Sequence, residues 1–465
     1  RELHLHRMRT DRVEPEPYLR VRVFPDVLAW TVADVRQEPG RELVFFTRSA
    51  AISYSTTLDG YRGNARVLVR EEMIFDLPDP RALPYYAYVI RRDSAMHGKA
   101  GDSLLLPGRD GYSLWGPPDQ EGAYTLQADF RTGDVAVIEA TAPRGSSRGS
   151  RIRLGSDPGD LTGPFSGENA SGEAALLSDS RHYRAPALVD VNGDGFVDLL
   201  ALTDERLAVH LGTASGLPER PTRLEPLPGY LRGEDQDLEL TLVDVDGDGD
   251  LDLVAKIEED SGTFENGTVR VLVLIHDGNR LLPDRPDQVL RFKAAELRLS
   301  IADVDADGLP DLVIRKLELP SMLGMVTGLE FTFTHLIYLG QPLGERRRFA
   351  KNASLRQEEV YDEETIIELV ANRNLSMDCD GDGLADLVEV DLDGRVGIRR
   401  LRRSSSFFGG TSWSLERAHW KRFETGGSIR SLDVRDLNGD GLGDVISAGE
   451  RRLTILLSAR PGARR

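Results

Sequence analysis

Three observations on this sequence predict an all-β chain arranged as a seven-bladed β-propeller of four-stranded antiparallel blades. First, an aspartate-rich motif recurs five times along the chain. Second, stretches of alternating apolar and polar residues enter and leave each copy, as half-buried strands do. Third, 46 Gly and 24 Pro among 465 residues supply turns at a density that suits short strands better than long helices.

The five copies are DVNGDGFVDLL from Asp190, DVDGDGDLDLV from Asp244, DVDADGLPDLV from Asp303, DCDGDGLADLV from Asp378 and DLNGDGLGDVI from Asp436. Their start-to-start intervals are 54, 59, 75 and 58 residues, so one unit of about sixty residues is reused. Strands such as 238–243 and 297–302 lead into the motif, and 251–257 and 312–317 lead out of it. A third alternating run follows at 207–211, 269–275, 332–339, 396–401 and 453–457. Turns such as HDGN at 276–279 then lead to a weaker fourth strand. Four antiparallel strands per repeat define a propeller blade.

Residues 181–465 hold the five intact copies, and 27–180 hold two degenerate blades with an insertion. Around Asp34 the flanking strands remain, but Arg36 and Glu38 stand where the motif has acidic or amide residues. The second degenerate blade centres on Asp93 or Asp129; these are 36 residues apart, too close for two blades, and the Asp93 reading is preferred. Eight blades would require both. The last unit has only two strands after its motif, whereas residues 18–26 (YLRVRVF and its surroundings) form a surplus strand. The expectation is that this N-terminal strand pairs into the last blade and closes a single domain spanning 1–465.

Within each nine-residue motif, acidic or amide side chains fall at positions 1, 3, 5 and 9, with glycine at 6. Oxygen donors on alternate residues around a sharp turn suit a hard cation that takes six to eight oxygens. The predicted ligands are Asp190, Asn192, Asp194 and Asp198; Asp244, Asp246, Asp248 and Asp252; Asp303, Asp305, Asp307 and Asp311. Asp378, Asp380, Asp382 and Asp386, then Asp436, Asn438, Asp440 and Asp444, complete the set, with backbone carbonyls expected from Phe196, Asp250, Leu309, Leu384 and Leu442. The first half of the motif is similar to an EF-hand loop, but the Glu at position 12 is missing and strands replace the helices. The five loops hold nineteen aspartates, equal in size to the whole formal net charge of -19. Two carboxylates about 4 Å apart repel by ~4 kcal/mol at an effective dielectric of 20, so each loop calls for a cation. Calcium fits better than magnesium, whose small octahedron suits such loops poorly. About five structural Ca2+ ions are expected.

The five copies resemble FG-GAP or VCBS repeats, the blade unit of integrin-alpha-like propellers. The resemblance is strong from Asp190 to the end and weak over the first 180 residues. It implies that the metal loop joins the two innermost strands of a blade and that ligands approach the opposite face. No metal is carried onto the Asp34, Asp93 or Asp129 regions.

Other chemistry finds little purchase. The acidic balance disfavours a nucleic-acid partner. Cys379 is the only cysteine, which excludes an intrachain disulfide and a Cys-based zinc site. No apolar run reaches the ~20 residues of a membrane span. Because the chain starts at Arg1 rather than Met, it is read as processed, with an export signal removed; a secreted, cell-surface or periplasmic location is expected. No HExxH, Walker loop or dinucleotide fingerprint occurs, and GSSRG at 145–149 lacks the strand-turn-helix context of a nucleophile elbow. No catalytic or cofactor-binding residue is assigned. His4 and His6 share a strand face without forming a ligand pair, and Trp115, Trp413 and Trp420 are read as packing residues. Residues 228–237 and 318–331 are candidate recognition loops. The reading is a calcium-stabilised binding or adhesion module for an extracellular protein or glycan. The alternative is an extracellular polysaccharide lyase or hydrolase on a propeller scaffold.

Overall fold

The computed structural model describes residues 2–7, 13–36, 40–56, 65–73, 86, 89–90, 101–108, 111–117, 123–131, 154–155, 187–202, 206–232, 236–259, 266–319, 330–342, 348–362, 373–391, 394–405, 411–425, 429–449 and 453–459. Asp93, the GSSRG segment and most of the 318–331 loop lie outside the described residues. Among the described residues the protein is all-β: the helical structure is one 3-10 turn, Gly229–Leu231. No helix there is long and apolar enough to cross a membrane.

The chain divides into two compact units. One comprises Arg1–Arg7, Pro15–Gly149 and Pro164–Leu227; the other comprises Met8–Glu14, Ser150–Gly163 and Pro228–Arg465. In the first unit, the Asp34 sheet runs through Ala29–Ala33, Glu42–Phe46, Ala51–Tyr54 and Arg66–Val69. Val89–Ile90, Ser103–Gly108, Gly111–Gly116 and Thr125–Arg131 form a second meander, so the stretches flanking Asp93 and containing Asp129 share one sheet. The Asp190 sheet follows with Ala187–Val189, Asp198–Leu202, Arg206–His210 and Arg223–Pro226.

In the second unit the Asp244 sheet consists of Gln236–Val243, Asp252–Glu259, Gly267–Leu274 and Gln288–Ala294. Leu154–Gly155 adds a short parallel strand beside Leu240 and Thr241. The Asp303 sheet has four strands, Glu296–Ala302, Asp311–Glu318, Glu330–Tyr338 and Leu355–Asp362. In the Asp378 sheet the long strand Val396–Ser405 pairs with Asp386–Val390 along one part. Thr411–Leu415 pairs with its remaining part, 401–405, and Lys421–Phe423 pairs with 396–398 on the other edge. The Asp436 sheet has three strands, Ile429–Arg435, Asp444–Gly449 and Leu453–Leu456.

One expectation is corrected. The N-terminal strand, Leu19–Arg22, pairs antiparallel with Glu2–Leu5 in a two-stranded ladder, while the last sheet keeps three strands. The cause lies in the alternation of both segments. Leu3 and Leu5 share a face with Leu19 and Val21, and this apolar face packs on Leu43, Phe45 and Tyr54 of the Asp34 sheet.

The burial pattern explains the order of the sheets. Middle strands such as Asp252–Glu259 and Asp311–Glu318 open with four consecutive buried residues, so both faces of each sheet are covered. Val254, Val271 and Val273 of the Asp244 sheet share a core with Leu312, Ile314 and Leu336 of the Asp303 sheet. On the other face, Val313 and Ile337 pack with Leu387 and Leu401 of the Asp378 sheet. The opposite face of that sheet, with Val388 and Ile398, meets Val434 and Val445. Consecutive sheets therefore stack face to face within the unit. Trp115, Trp413 and Trp420 are partly buried against these cores, as read from the sequence.

A buried charged cluster interrupts the apolar packing between the Asp303 and Asp378 sheets. Arg373 pairs with Glu359 (2.8 Å) and Glu389 (3.1 Å), and Arg399 pairs with the same two glutamates at 2.7 Å each. Arg373 also donates to His335 Nε2 and to the Tyr361 hydroxyl, and its guanidinium lies 4.6 Å from the Phe333 ring centre. His419 completes the cluster at 3.0 Å from Glu389.

Candidate metal centres

Each acidic loop folds around its first aspartate. At position 1, Asp190 accepts the backbone N–H of Asp194 and Gly195, and Asp303 accepts those of Asp307 and Gly308. Asp244, Asp378 and Asp436 accept from Gly249, Gly383 and Gly441 at the corresponding place. At position 5, Asp194, Asp248, Asp307, Asp382 and Asp440 each accept the N–H of position 7 at 2.8 to 3.0 Å. This wrapping needs left-handed backbone at positions 4 and 6. The position-6 glycines have φ from 83° to 94°. Position 4 is glycine in four loops and Ala306 in the other, at φ 57°. An L-residue there is strained by about 1 to 2 kcal/mol relative to glycine. Ala306→Gly is therefore expected to stabilise the protein by roughly 0.5 to 1 kcal/mol, part of the relief being offset by backbone entropy. Chemical denaturation checks this; a lower midpoint in the variant would contradict it.

Position 9 has a structural role that the ligand pattern did not reveal. Asp198, Asp252, Asp311 and Asp444 are buried at the start of the second strand, each with one oxygen on the position-2 N–H. The other oxygen accepts an N–H where the third strand ends, from Gly212, His276, Gly340 or Ser458, at 2.6 to 2.8 Å. The degenerate Asp34 loop keeps the position-2 end of this brace with a different residue. Glu42 is buried and accepts the Val35 N–H at 3.0 Å, eight residues after Asp34, as Asp198 is after Asp190. Arg36, at position 3 of that loop, is tied to Ser53.

Among the described residues, three groups of carboxylates converge. Asp244, Asp246 and Asp248, then Asp303, Asp305 and Asp311, then Asp378, Asp380 and Asp386 each offer oxygens within 4.8 Å of one another. Asp246 Oδ1, Asp305 Oδ1 and Asp386 Oδ1 are buried and have no hydrogen-bond partner. A buried carboxylate oxygen without a donor is costly, and a cation would satisfy it. The residues therefore fit a metal ion, and these clusters could bind one. In the Asp190 and Asp436 loops an amide takes position 3: Asn192 Oδ1 and Asn438 Oδ1 accept the N–H of Asp194 and Asp440.

The electrostatics carry the same strain. Burial, reinforced by neighbouring aspartates, pushes Asp198 up to about 6 and Asp252, Asp311 and Asp386 up to about 7. Asp246, Asp305, Asp382 and Asp444 are also raised, chiefly by burial. Asp436 is lowered instead, led by the hydrogen bond from Gly441. Where the folded value lies above the unfolded one of about 4, the metal-free fold binds protons that the unfolded chain releases. The contribution of these aspartates to stability is then fullest below about pH 4 and declines as pH rises through about 7. In chelator, the thermal midpoint should be higher at pH 5 than at pH 8; with calcium present this advantage should vanish. A chelated midpoint that climbs with pH would contradict the assignment.

The FG-GAP-like repeat model matches residues 190–255 and 378–447. These two stretches are FG-GAP-like repeats. A search of curated proteins finds no match. Among solved structures, the Vibrio cholerae biofilm matrix protein Bap1 aligns with a TM-score of 0.29 and 13% identity, over 93% of this chain and 59% of that one. The Photorhabdus luminescens Tc holotoxin pore aligns with a TM-score of 0.18 and 13% identity, over 98% of this chain and 20% of the other. The TcdB2-TccC3-Cdc42 structure gives 0.21 and 14%, over 97% and 20%. The chain thus spans about three-fifths of the Bap1 chain.

Proposed function

We propose that this chain is a calcium-stabilised β-propeller that serves as an extracellular binding or adhesion module for a protein or glycan. The observation that carries the metal assignment is the set of buried carboxylate oxygens without donors, Asp246 Oδ1, Asp305 Oδ1 and Asp386 Oδ1, inside converging aspartate groups. The side chains at positions 1, 3, 5 and 9 of the five loops are the proposed ligands, with the position-7 carbonyls of Phe196, Asp250, Leu309, Leu384 and Leu442. Bound calcium supplies charge neutralisation and a fixed set of oxygen contacts at each loop. The seven sheets that follow the N-terminal ladder are read as blades.

A module held rigid in this way presents its loops as a binding surface, and the repeats contribute stability. Glycan arrays and pull-downs from extracellular fractions test the role. The expected result is saturable binding in calcium, abolished by chelator, with no product released from a panel of polysaccharides. Product release that persists after purification to homogeneity would replace the module reading with a lyase or hydrolase.

A further inference from the structure

In two loops the position-3 aspartate faces two ways. Asp246 is 4% exposed; its Oδ2 lies 3.1 Å from Arg348 Nη2, and its Oδ1 is the buried oxygen without a donor. Asp305 repeats the arrangement, with Oδ2 3.8 Å from Arg403 Nη1 and Oδ1 buried without a donor. In both cases the arginine belongs to the next sheet along the chain. Arg348 precedes the last strand of the Asp303 sheet, and Arg403 sits in Val396–Ser405 of the Asp378 sheet. The other loops differ. Asp380 is approached by Arg400 of its own sheet, and its Oδ1 accepts the Asp382 N–H. Asn192 and Asn438 direct their amide groups to Asp194 and Asp440 of their own loops.

We propose that Asp246 and Asp305 are bridging carboxylates, each presenting Oδ1 to the cation of its loop and Oδ2 to the guanidinium of the following sheet. This rests on the metal reading above. A carboxylate that carries a cation on one oxygen is fixed in orientation, so its ion pair with arginine is held ready-made. Cation binding at these two loops therefore clamps the next sheet, whereas at the Asn192 and Asn438 loops it braces only the loop itself. Arg348 and Arg403 are positioning residues in this scheme.

Hydrogen exchange with and without millimolar calcium, on the whole chain, tests the bridge. In the parent protein, calcium should slow exchange in 244–252 and, about tenfold, in 348–355 across the sheet boundary. Arg348→Gln should keep the calcium effect at 244–252 and lose it at 348–355. The variant should fold, because Gln288 Oε1 still accepts the backbone N–H of residues 348 and 349 at 3.1 and 3.0 Å. Arg403→Gln gives the same reading at the Asp303 loop and serves if the first variant is unstable. Calcium protection of 348–355 that survives Arg348→Gln, or that is missing in the parent while 244–252 responds, overturns the bridge. If 244–252 does not respond either, the metal reading fails and the bridge fails with it.

Discussion

Removing divalent cations with a chelator should lower the thermal unfolding midpoint by more than 10 °C. Each loop gathers three to five aspartates, and much of the formal charge of -19 is confined to these loops. Backbone N–H groups hold the carboxylates in place without neutralising them, and three buried oxygens have no donor. A site saturated at one hundred times its Kd contributes about 2.7 kcal/mol to the folded state. A shift of about 2 to 4 °C per kcal/mol is usual for a domain of roughly 200 residues, so several such sites together exceed ten degrees. The midpoint should also keep rising with calcium concentration above saturation, because the unfolded chain has no preformed site. Calorimetry across a calcium series checks both statements; a midpoint indifferent to chelator contradicts them.

Replacing Arg373 with methionine should cost about 3 to 5 kcal/mol, the usual penalty for breaking one side of a buried ion pair. The Arg373 side chain is 2% exposed and holds both Glu359 and Glu389. Burial alone would raise the Glu359 carboxyl, but Arg373 and Arg399 overcome it and hold the group well below the usual range. Glu389 is likewise lowered despite burial, by His419, Arg373 and Arg399. These depressed values contribute stability that is complete above the unfolded carboxylate pKa of about 4.3 and is lost as pH falls through the folded values. In the variant, both glutamates share the single remaining arginine Arg399, with His419 still on Glu389, so part of that acid-side dependence should disappear. Adding Glu389→Gln to Arg373→Met should recover some of the loss, the pattern of coupled neighbours. Urea denaturation of the four proteins in that cycle measures it. Additive losses would show that the cluster does not act as a unit.

The aspartate loops are legible in sequence because their geometry is local. Alternating oxygen donors and a glycine at position 6 define the turn within nine residues, and the structure wraps all five loops alike. The brace at position 9 was half legible. Glu42 keeps the spacing of Asp198, but a longer side chain hid the likeness behind a loop whose position 3 is Arg36. The arginines could not be found this way, since Arg348 meets Asp246 only through packing of consecutive sheets. The Arg373 cluster was hidden for a related reason: arginine and glutamate usually lie at the surface, and only register places Glu359, Glu389 and His335 together. The N-terminal strand shows the limit of alternation. Leu19–Arg22 fits any open sheet edge, and the apolar face of Glu2–Leu5 decided its partner.

Metal content after equilibrium dialysis is the most direct check on the loops. Protein dialysed against millimolar calcium, then assayed for bound metal against a chelated control, should retain about five ions per chain, with magnesium failing to displace them at equal concentration. Retention of less than one ion per chain would show that the aspartates hold their geometry without a cation.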